Sequence, residues 1–323
     1  MIPFRVKEKI NALRCSWYLG RAIEALSPLT VATRDLRAEV HMMVGHNHLM
    51  RALAALYTFF HHSGLADRVG VMFHLDGTVT ARQKEWLARH VVGAAFTDFP
   101  SKDERVRAVL DKYPYCARYY LGRKSCMTRL VHIPVFARSD RIINLDSDIV
   151  FWARPEEICE AVAAADPVPL YQVHYRENPL PCEEVRRIFA QIRTMMQTPV
   201  SHFEIRDYYA SPGLMVMPLR RFSFGVAEDY FRWHATASPP TAPAFFWFAD
   251  WTVEFTAYLL NFATWPDARP LGPAYAIGNV PAKICNHYMS ANYWMKANLA
   301  RIRGHLHDLL ATRPGAGGGC SDA

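Results

Sequence analysis

The chain has no C-x-x-C pair and no cluster of cysteines. Its seven cysteines (Cys15, Cys116, Cys126, Cys159, Cys182, Cys285 and Cys320) are odd in number and widely spaced. This argues against a disulfide framework or a cysteine zinc site and favours a reducing compartment. No apolar run approaches the roughly 18–20 residues of a membrane-spanning helix. The opening Met1-Ile2-Pro3-Phe4-Arg5 lacks the apolar stretch of a secretion signal. The expected location is cytoplasmic, with peripheral contact at the inner membrane face left open. No Lys/Arg-rich block of the nucleic-acid-binding kind occurs, and no internal repeat.

What is present suits a folded protein with a full core. The 323 residues are 51% hydrophobic and 13% aromatic, enough for one large α/β domain or two modest ones. The formal charge of +7 suits an anionic partner such as a nucleotide, a phospholipid surface or a nucleic acid. Charge alone does not choose among them.

Apolar runs and helical patterns alternate along the chain. Strands are expected over 40–45, 69–75, 91–96 and 141–145, and helices over 49–62, 80–90, 102–112, 126–136 and 156–164. Ser63-Gly64 is a helix stop signal, and Pro155 fits the start of a helix. This alternation predicts a mostly parallel sheet flanked by helices, with ligands at the carboxyl ends of its strands. Further strands are expected over 169–174, 213–217 and 283–288, helices over 183–196 and 251–260, and a proline-rich loop over 238–243. Two short helical patterns, over 7–14 and 17–26, make residues 1–37 an N-terminal helical appendage. Residues 296–323 form a basic helical segment ending in a flexible glycine-rich tail.

Asp146-Ser147-Asp148 closes the run Ile142-Ile143-Asn144-Leu145 and is followed by Ile149-Val150-Phe151-Trp152. Side chains at i and i+2 of a strand point the same way, so both carboxylates aim at one place. Like charges buried together need a compensating cation or hydrogen bonds. A divalent metal held by hard oxygen ligands is one solution, and such a metal commonly serves a phosphate or diphosphate. The other reading is a pair of strand-end carboxylates that cap the turn or the next helix.

Four stretches resemble the glycosyltransferase family 8 type of GT-A fold, the group of glycogenin and bacterial lipopolysaccharide glycosyltransferases. Phe73-His74-Leu75-Asp76-Gly77 is similar to that family's second-strand ending. Met127-Thr128-Arg129-Leu130, Ile133-Pro134 and Asp140 through Asp148 are similar to its Y-A-R-L…I-P…D-K-V-x-Y-L-D-x-D pattern. Tyr209-Ala210-Ser211-Pro212-Gly213-Leu214-Met215 is similar to F-N-S-G-V-L-L with one proline inserted. His287-Tyr288-Met289-Ser290-Ala291-Asn292-Tyr293-Trp294 is similar to H-Y-x-G-x-x-K-P-W, one residue shorter. The resemblance spans residues 38–295.

That resemblance implies a GT-A catalytic domain that moves a sugar, UDP-hexose being the expected donor, to an acceptor hydroxyl. Asp146, Asp148 and His287 become the implied metal ligands, for Mn²⁺ or, second, Mg²⁺. Gly45, His46 and Asp76 would face the nucleotide together with Ser147, and Arg129 would reach the donor. His46 and His48 also form an H-x-H that offers a competing metal pair. The family's diphosphate-gripping lysine is missing from its place at Asn292 or Tyr293, and Lys296 is the substitute from the next turn. Of the family's D-Q-D helix start only Asp250 survives. Asp250 and Glu254 share a helical face and are the candidates for contact with the sugar or for a base, while Asp250 alone also suits a helix N-cap. Family members retain anomeric configuration, which is therefore the expectation here. The acceptor would be a glycan, a lipid-linked saccharide or a protein. Two alternatives stand beside this: an inactive nucleotide-sugar-binding or scaffold domain, and a nucleotidyltransferase. The loop Gly45-His46-Asn47-His48 lacks the glycine-rich basic character that the latter calls for.

Overall fold

The computed structural model describes residues 4–122, 126–173, 194, 210–236, 257, 260–262, 264–277, 284–288 and 299–311. The strands in chain order are β1 (Leu29–Thr30), β2 (Ala38–Val44), β3 (Val69–Leu75), β4 (Val91–Val92), β5 (Ala95–Asp98), β6 (Arg141–Leu145), β7 (Ile149–Phe151), β8 (Leu170–Val173), β9 (Ala210–Pro218), β10 (Arg269–Pro270), β11 (Tyr275–Ile277) and β12 (Cys285–His287). The helices are α1 (Phe4–Glu24), α2 (Leu49–Ser63), α3 (Ala81–His90), α4 (Glu104–Lys112), α5 (Pro114–Gly122), α6 (Cys126–Phe136), α7 (Glu156–Ala163), α8 (Phe224–Thr236) and α9 (Leu299–Ala311).

The described strands form a seven-stranded sheet ordered β10-β8-β9-β6-β2-β3-β5. β6, β2, β3 and β5 run parallel, and β9 runs antiparallel to both β6 and β8. A smaller sheet, β11-β12-β7, stands beside it, with β12 antiparallel to β7. This is the expected mixed, mostly parallel sheet flanked by helices. The central strands are apolar along their length because both faces are covered; every residue of β3 is buried. On one face α2 packs with Leu53 and Phe59 in the core, and on the other lie Met127, Leu130 and Phe231. α2 ends where the sequence says it should. Gly64 takes φ 68° and its N–H returns to Phe60 O at 3.0 Å.

Three expectations change. The strand expected over 91–96 is broken at Gly93, whose φ of 93° turns the chain. Its first half, β4, pairs with β1, and its second half becomes the edge strand β5. The two N-terminal helical patterns form one helix, α1, because no proline separates them and Leu19, Ala22 and Ile23 bury against the core. Helix α5 was not anticipated; it opens on Pro114 and buries only Cys116 and Tyr120, so its sequence carries little apolar period. The expectations over 183–196, 238–243 and 251–260 fall mostly or wholly outside the described residues. Among the described residues no helix is long and apolar enough to cross a membrane. Cys116, Cys159 and Cys285 are free and buried.

A polar seam crosses the core between the sheet and α6. Glu39 accepts from Arg138 Nε at 2.6 Å and lies 3.1 Å from His41 Nε2. His41 Nδ1 meets His74 Nε2 at 2.9 Å, His74 Nδ1 meets Thr97 Oγ1 at 2.7 Å, and His132 joins Thr97 at 3.3 Å and Tyr120 at 2.8 Å. Alternation along β2 places Glu39 and His41 on this face and Val40 and Met42 on the other. Burial opposes the Glu39 charge, but His41 and Arg138 outweigh it and hold its pKa below the usual value. Burial, with His41 adding to it, drives His74 well below the ordinary histidine range, and burial lowers His132 to about 4.

These shifts contribute to the acid limb of stability. Between pH 6.5 and 4 the unfolded chain binds protons that folded His74 and His132 refuse, so stability is lost as pH falls through that window. The His132 part amounts to about 3 kcal/mol over the whole window. The depressed Glu39 contributes stability above its unfolded value and loses it only at lower pH. Urea unfolding at pH 7 and pH 5 checks this. His132→Gln should lose about 2 kcal/mol less than wild type between the two.

Candidate metal centre

The site grows from the way the two sheets meet. β6 ends at Leu145, Asp146-Ser147-Asp148 make a turn, and β7 resumes at Ile149 in the smaller sheet. The carboxylates therefore do not share a strand face by alternation; a turn between two strands aims them. Asp146 N donates to Gly213 O at 2.7 Å, which fixes the turn to β9. Tyr288 N donates to Asp148 O at 2.8 Å, and β12 pairs His287 opposite Ile149. These two ties bring His287 to the carboxylates across a long stretch of sequence. Its Nε2 lies 3.1 Å from Asp148 Oδ1 and 3.6 Å from Asp146 Oδ2. One ligand atom from each of the three lies within 4.8 Å of the others, and among the described residues no other such group of His, Cys, Asp and Glu occurs.

A neighbour fixes which imidazole nitrogen faces the carboxylates. Gln172 Nε2 lies 3.3 Å from both Tyr275 O and Ala276 O and donates there. Its amide oxygen is therefore turned toward His287 Nδ1, 3.1 Å away. Nδ1 carries the proton toward Gln172, so Nε2 is the nitrogen that faces the carboxylates: it donates to Asp148 when the ring is protonated and is the atom that would bind a cation when it is not. Such a partner behind the ring is the usual support of a metal-binding histidine. Ser211 Oγ lies 3.4 Å from Nδ1 and accepts from Gly213 N at 3.1 Å. Position 213 must be glycine: a Cβ would stand 2.3 Å from His287 Cε1 and 2.9 Å from Asp146 Oδ2.

The charges are balanced from several sides. Arg129, 4% exposed, donates from Nη2 to Asp146 Oδ1, so it is no surface arginine. Burial opposes the Asp148 charge, but His287 and then Arg51 pull its pKa below the usual value. Burial likewise opposes a charged His287, but Asp148 and then Asp146 outweigh it and raise the ring's pKa. Two carboxylates and one imidazole form a donor set that fits Mn²⁺ or Mg²⁺.

The expected nucleotide-facing residues follow β2 and β3, which come next to β6 in the sheet order. Asp76 follows β3, and its N–H donates to Val44 O at 3.1 Å. A Cβ on Gly45 would lie 2.3 Å from Asp76 Oδ2, so the loop after β2 closes on Asp76 only with glycine there. Thr78 Oγ1 donates to Asp76 Oδ1 at 2.6 Å and accepts from His46 N at 3.0 Å. Ser147 is buried within the turn. Burial and then Arg51 lower His48 to about 4, which leaves it neutral, and among the described residues His46 and His48 belong to no group of three metal-ligating side chains. Asp250, Glu254 and Lys296 lie outside the described residues. Gln172 and Arg51 escaped sequence reading. The signal for each was a single polar residue in an apolar element, Leu170-Tyr171-Gln172-Val173 and Leu49-Met50-Arg51-Ala52-Leu53.

No protein-family model matches the chain, and no curated protein matches it. Among solved structures it is similar to mouse xyloside xylosyltransferase 1 in its apo form, at 14% identity over 78% of this chain and 97% of that one, with a TM-score of 0.46. It is similar to galactosyltransferase LgtC in complex with donor and acceptor sugar analogs, at 11% identity over 85% and 97%, with a TM-score of 0.49. The WbbM bifunctional glycosyltransferase shows 11% identity over 88% of this chain and 51% of its own, with a TM-score of 0.49. These are distant likenesses of chain path; the chemistry of the site rests on its own residues.

Calorimetric titration with Mn²⁺ tests the centre. Asp148→Asn should weaken binding at least tenfold, and Gln172→Leu, which removes only the partner behind His287, about 10–100-fold. Gly213→Ala should abolish binding through the clash with His287. Unchanged affinity in all three would remove the metal assignment.

Proposed function

We propose that the protein is a metal-dependent glycosyltransferase that moves a sugar from a nucleotide-sugar, UDP-hexose being the expected donor, to an acceptor hydroxyl. The observation that carries this reading is the meeting of Asp146, Asp148 and His287 beyond the carboxyl end of β6. That is where an open α/β sheet binds its ligands. The sequence resemblance around Arg129, Asp146 and His287 supports the same reading. A divalent cation held there supplies charge neutralisation to a departing nucleoside diphosphate.

The chain's own residues supply the rest. Arg129 holds Asp146 in place, and Gln172 holds the His287 ring, so the donor atoms are positioned before any ligand arrives. The loop Gly45-His46 and Asp76, tied through Thr78, form the wall toward the nucleotide. Asp250 and Glu254 are proposed to face the sugar. A retaining reaction at this site needs only positioning and stabilisation of the leaving group, with no protein nucleophile.

Release of UDP from a panel of UDP-hexoses, with Mn²⁺ and with chelator, tests the reading. Turnover should require the metal and should fall at least about 100-fold in Asp148→Asn, the scale of losing one electrostatic stabiliser. Metal-dependent UDP binding with no turnover on water or any acceptor would favour a nucleotide-sugar-binding domain instead.

A further inference from the structure

Arg51 stands in the first turn of α2 and is only 4% exposed. Its Nε has no hydrogen-bond partner, and among the described residues no carboxylate forms an ion pair with it. A guanidinium so placed is costly to bury unless something anionic meets it. Its position on the helix locates it. Thr58 Oγ1 accepts from Phe151 N at 3.2 Å, and Arg154, just past β7, donates from Nη1 to Ser63 O at the end of α2 at 3.0 Å, so α2 runs along β7 in the same direction. Arg51 is seven residues before Thr58, on the same helix face and about 10 Å nearer the helix N-terminus. Asp148 is three residues before Phe151, in the turn that leads into β7 and within about 10 Å of that residue. Arg51 thus comes alongside the carboxylate turn, in keeping with its influence on both Asp148 and His48.

The same helix end has a second anion-binding property. The residue before α2, His48, makes no side-chain cap hydrogen bond, and the first turn holds no acidic residue. The first-turn N–H groups and the positive end of the helix dipole are left for a ligand.

We propose that Arg51 and the N-terminus of α2 bind the diphosphate of the nucleotide beside Asp146, Asp148 and His287, in the role expected of Lys296. The proposal rests on the nucleotide-sugar reading of this site. Arg51 supplies a fixed, forked cation to phosphate oxygens, where a lysine would offer a single mobile charge.

Calorimetry with inorganic pyrophosphate, UDP and uridine in the presence of Mn²⁺, together with thermal melts of the ligand-free protein, tests it. Arg51→Met should weaken pyrophosphate and UDP binding at least tenfold and leave uridine binding unchanged. Arg51→Lys should recover part of the diphosphate affinity. UDP binding that is equal in wild type and Arg51→Met would overturn the Arg51 assignment and leave the transferase reading intact. A wild-type protein that binds neither pyrophosphate nor UDP would overturn both. An Arg51→Met protein that melts lower yet binds pyrophosphate normally would make Arg51 purely structural.

A separate observation concerns α1. Leu19, Ala22 and Ile23 bury one side of it, yet Val6, Ile10, Leu13 and Trp17 are exposed, the last two by 67% and 75%. Their 4-3-4 spacing puts them on one stripe about 60° wide, opposite the buried side. Exposed Arg14 and Arg21 follow its edge at a seven-residue interval that Lys7 shares in the sequence, and exposed Arg303 of α9 stacks on Tyr18 at 4.5 Å. We infer that this stripe docks on an anionic phospholipid surface, with the rings and aliphatic side chains entering the interface and the arginines meeting headgroup phosphates. Co-sedimentation with phosphatidylglycerol/phosphatidylcholine vesicles should exceed that with phosphatidylcholine alone. Leu13→Ser with Trp17→Ser should abolish it, and Arg14→Gln should weaken it about fivefold. No partition to anionic vesicles, or a wild-type dimer in light scattering that the double variant dissolves, would overturn the inference.

Discussion

Two backbone hydrogen bonds hold the site together. Asp146 N is tied to Gly213 O, and Asp148 O is tied to Tyr288 N. The first binds the carboxylate turn to the antiparallel strand of the large sheet, and the second binds it to the strand that carries His287. Without them the three donor groups, spread over more than a hundred residues of chain, would have no common point. The turn is a joint between two sheets, and the ligand-facing side chains come from that joint rather than from any single strand. Glycine at 213 is part of the same constraint, because the joint closes only where no Cβ intrudes.

Charge follows from this geometry. Two carboxylates and a histidine are drawn into a buried corner, and the corner tolerates them because cations surround it. Arg129 pairs with Asp146 on one side, and Arg51 stands along Asp148 on the other. The histidine's second nitrogen is occupied by Gln172, whose amide is in turn locked by two carbonyls. Each partner fixes the next, so the donor set is preorganised. Elsewhere the core tolerates buried polar groups in a different way. The Glu39–His41–His74–Thr97–His132 seam keeps its buried histidines His74 and His132 neutral, which makes the fold acid-sensitive.

The parts of the structure that local chemistry dictates were readable in advance. β3 and β6 are continuous apolar runs, α2 ends at Gly64, and the carboxylates sit at a strand end, all as the residues suggest. What escaped reading depends on long-range pairing. The break at Gly93 was invisible because a single glycine in an apolar run signals either a bulge or a turn. The turn geometry of Asp146 and Asp148 was mistaken for strand alternation, since Ile149 continues the apolar pattern into a different sheet. Gln172 and Arg51 looked like stray polar residues, and only the fold shows that one stands behind His287 and the other beside Asp148. Resemblance placed His287 near the carboxylates, but the means, pairing of β12 to β7, has no local signature.

Anomalous diffraction from crystals soaked with Mn²⁺ and UDP tests the central claim most directly. The account predicts one manganese peak within about 2.4 Å of an oxygen of Asp146, an oxygen of Asp148 and Nε2 of His287, with the diphosphate between that ion and the N-terminus of α2. Manganese bound at another group, or UDP bound with no ion shared by these three residues, would contradict it.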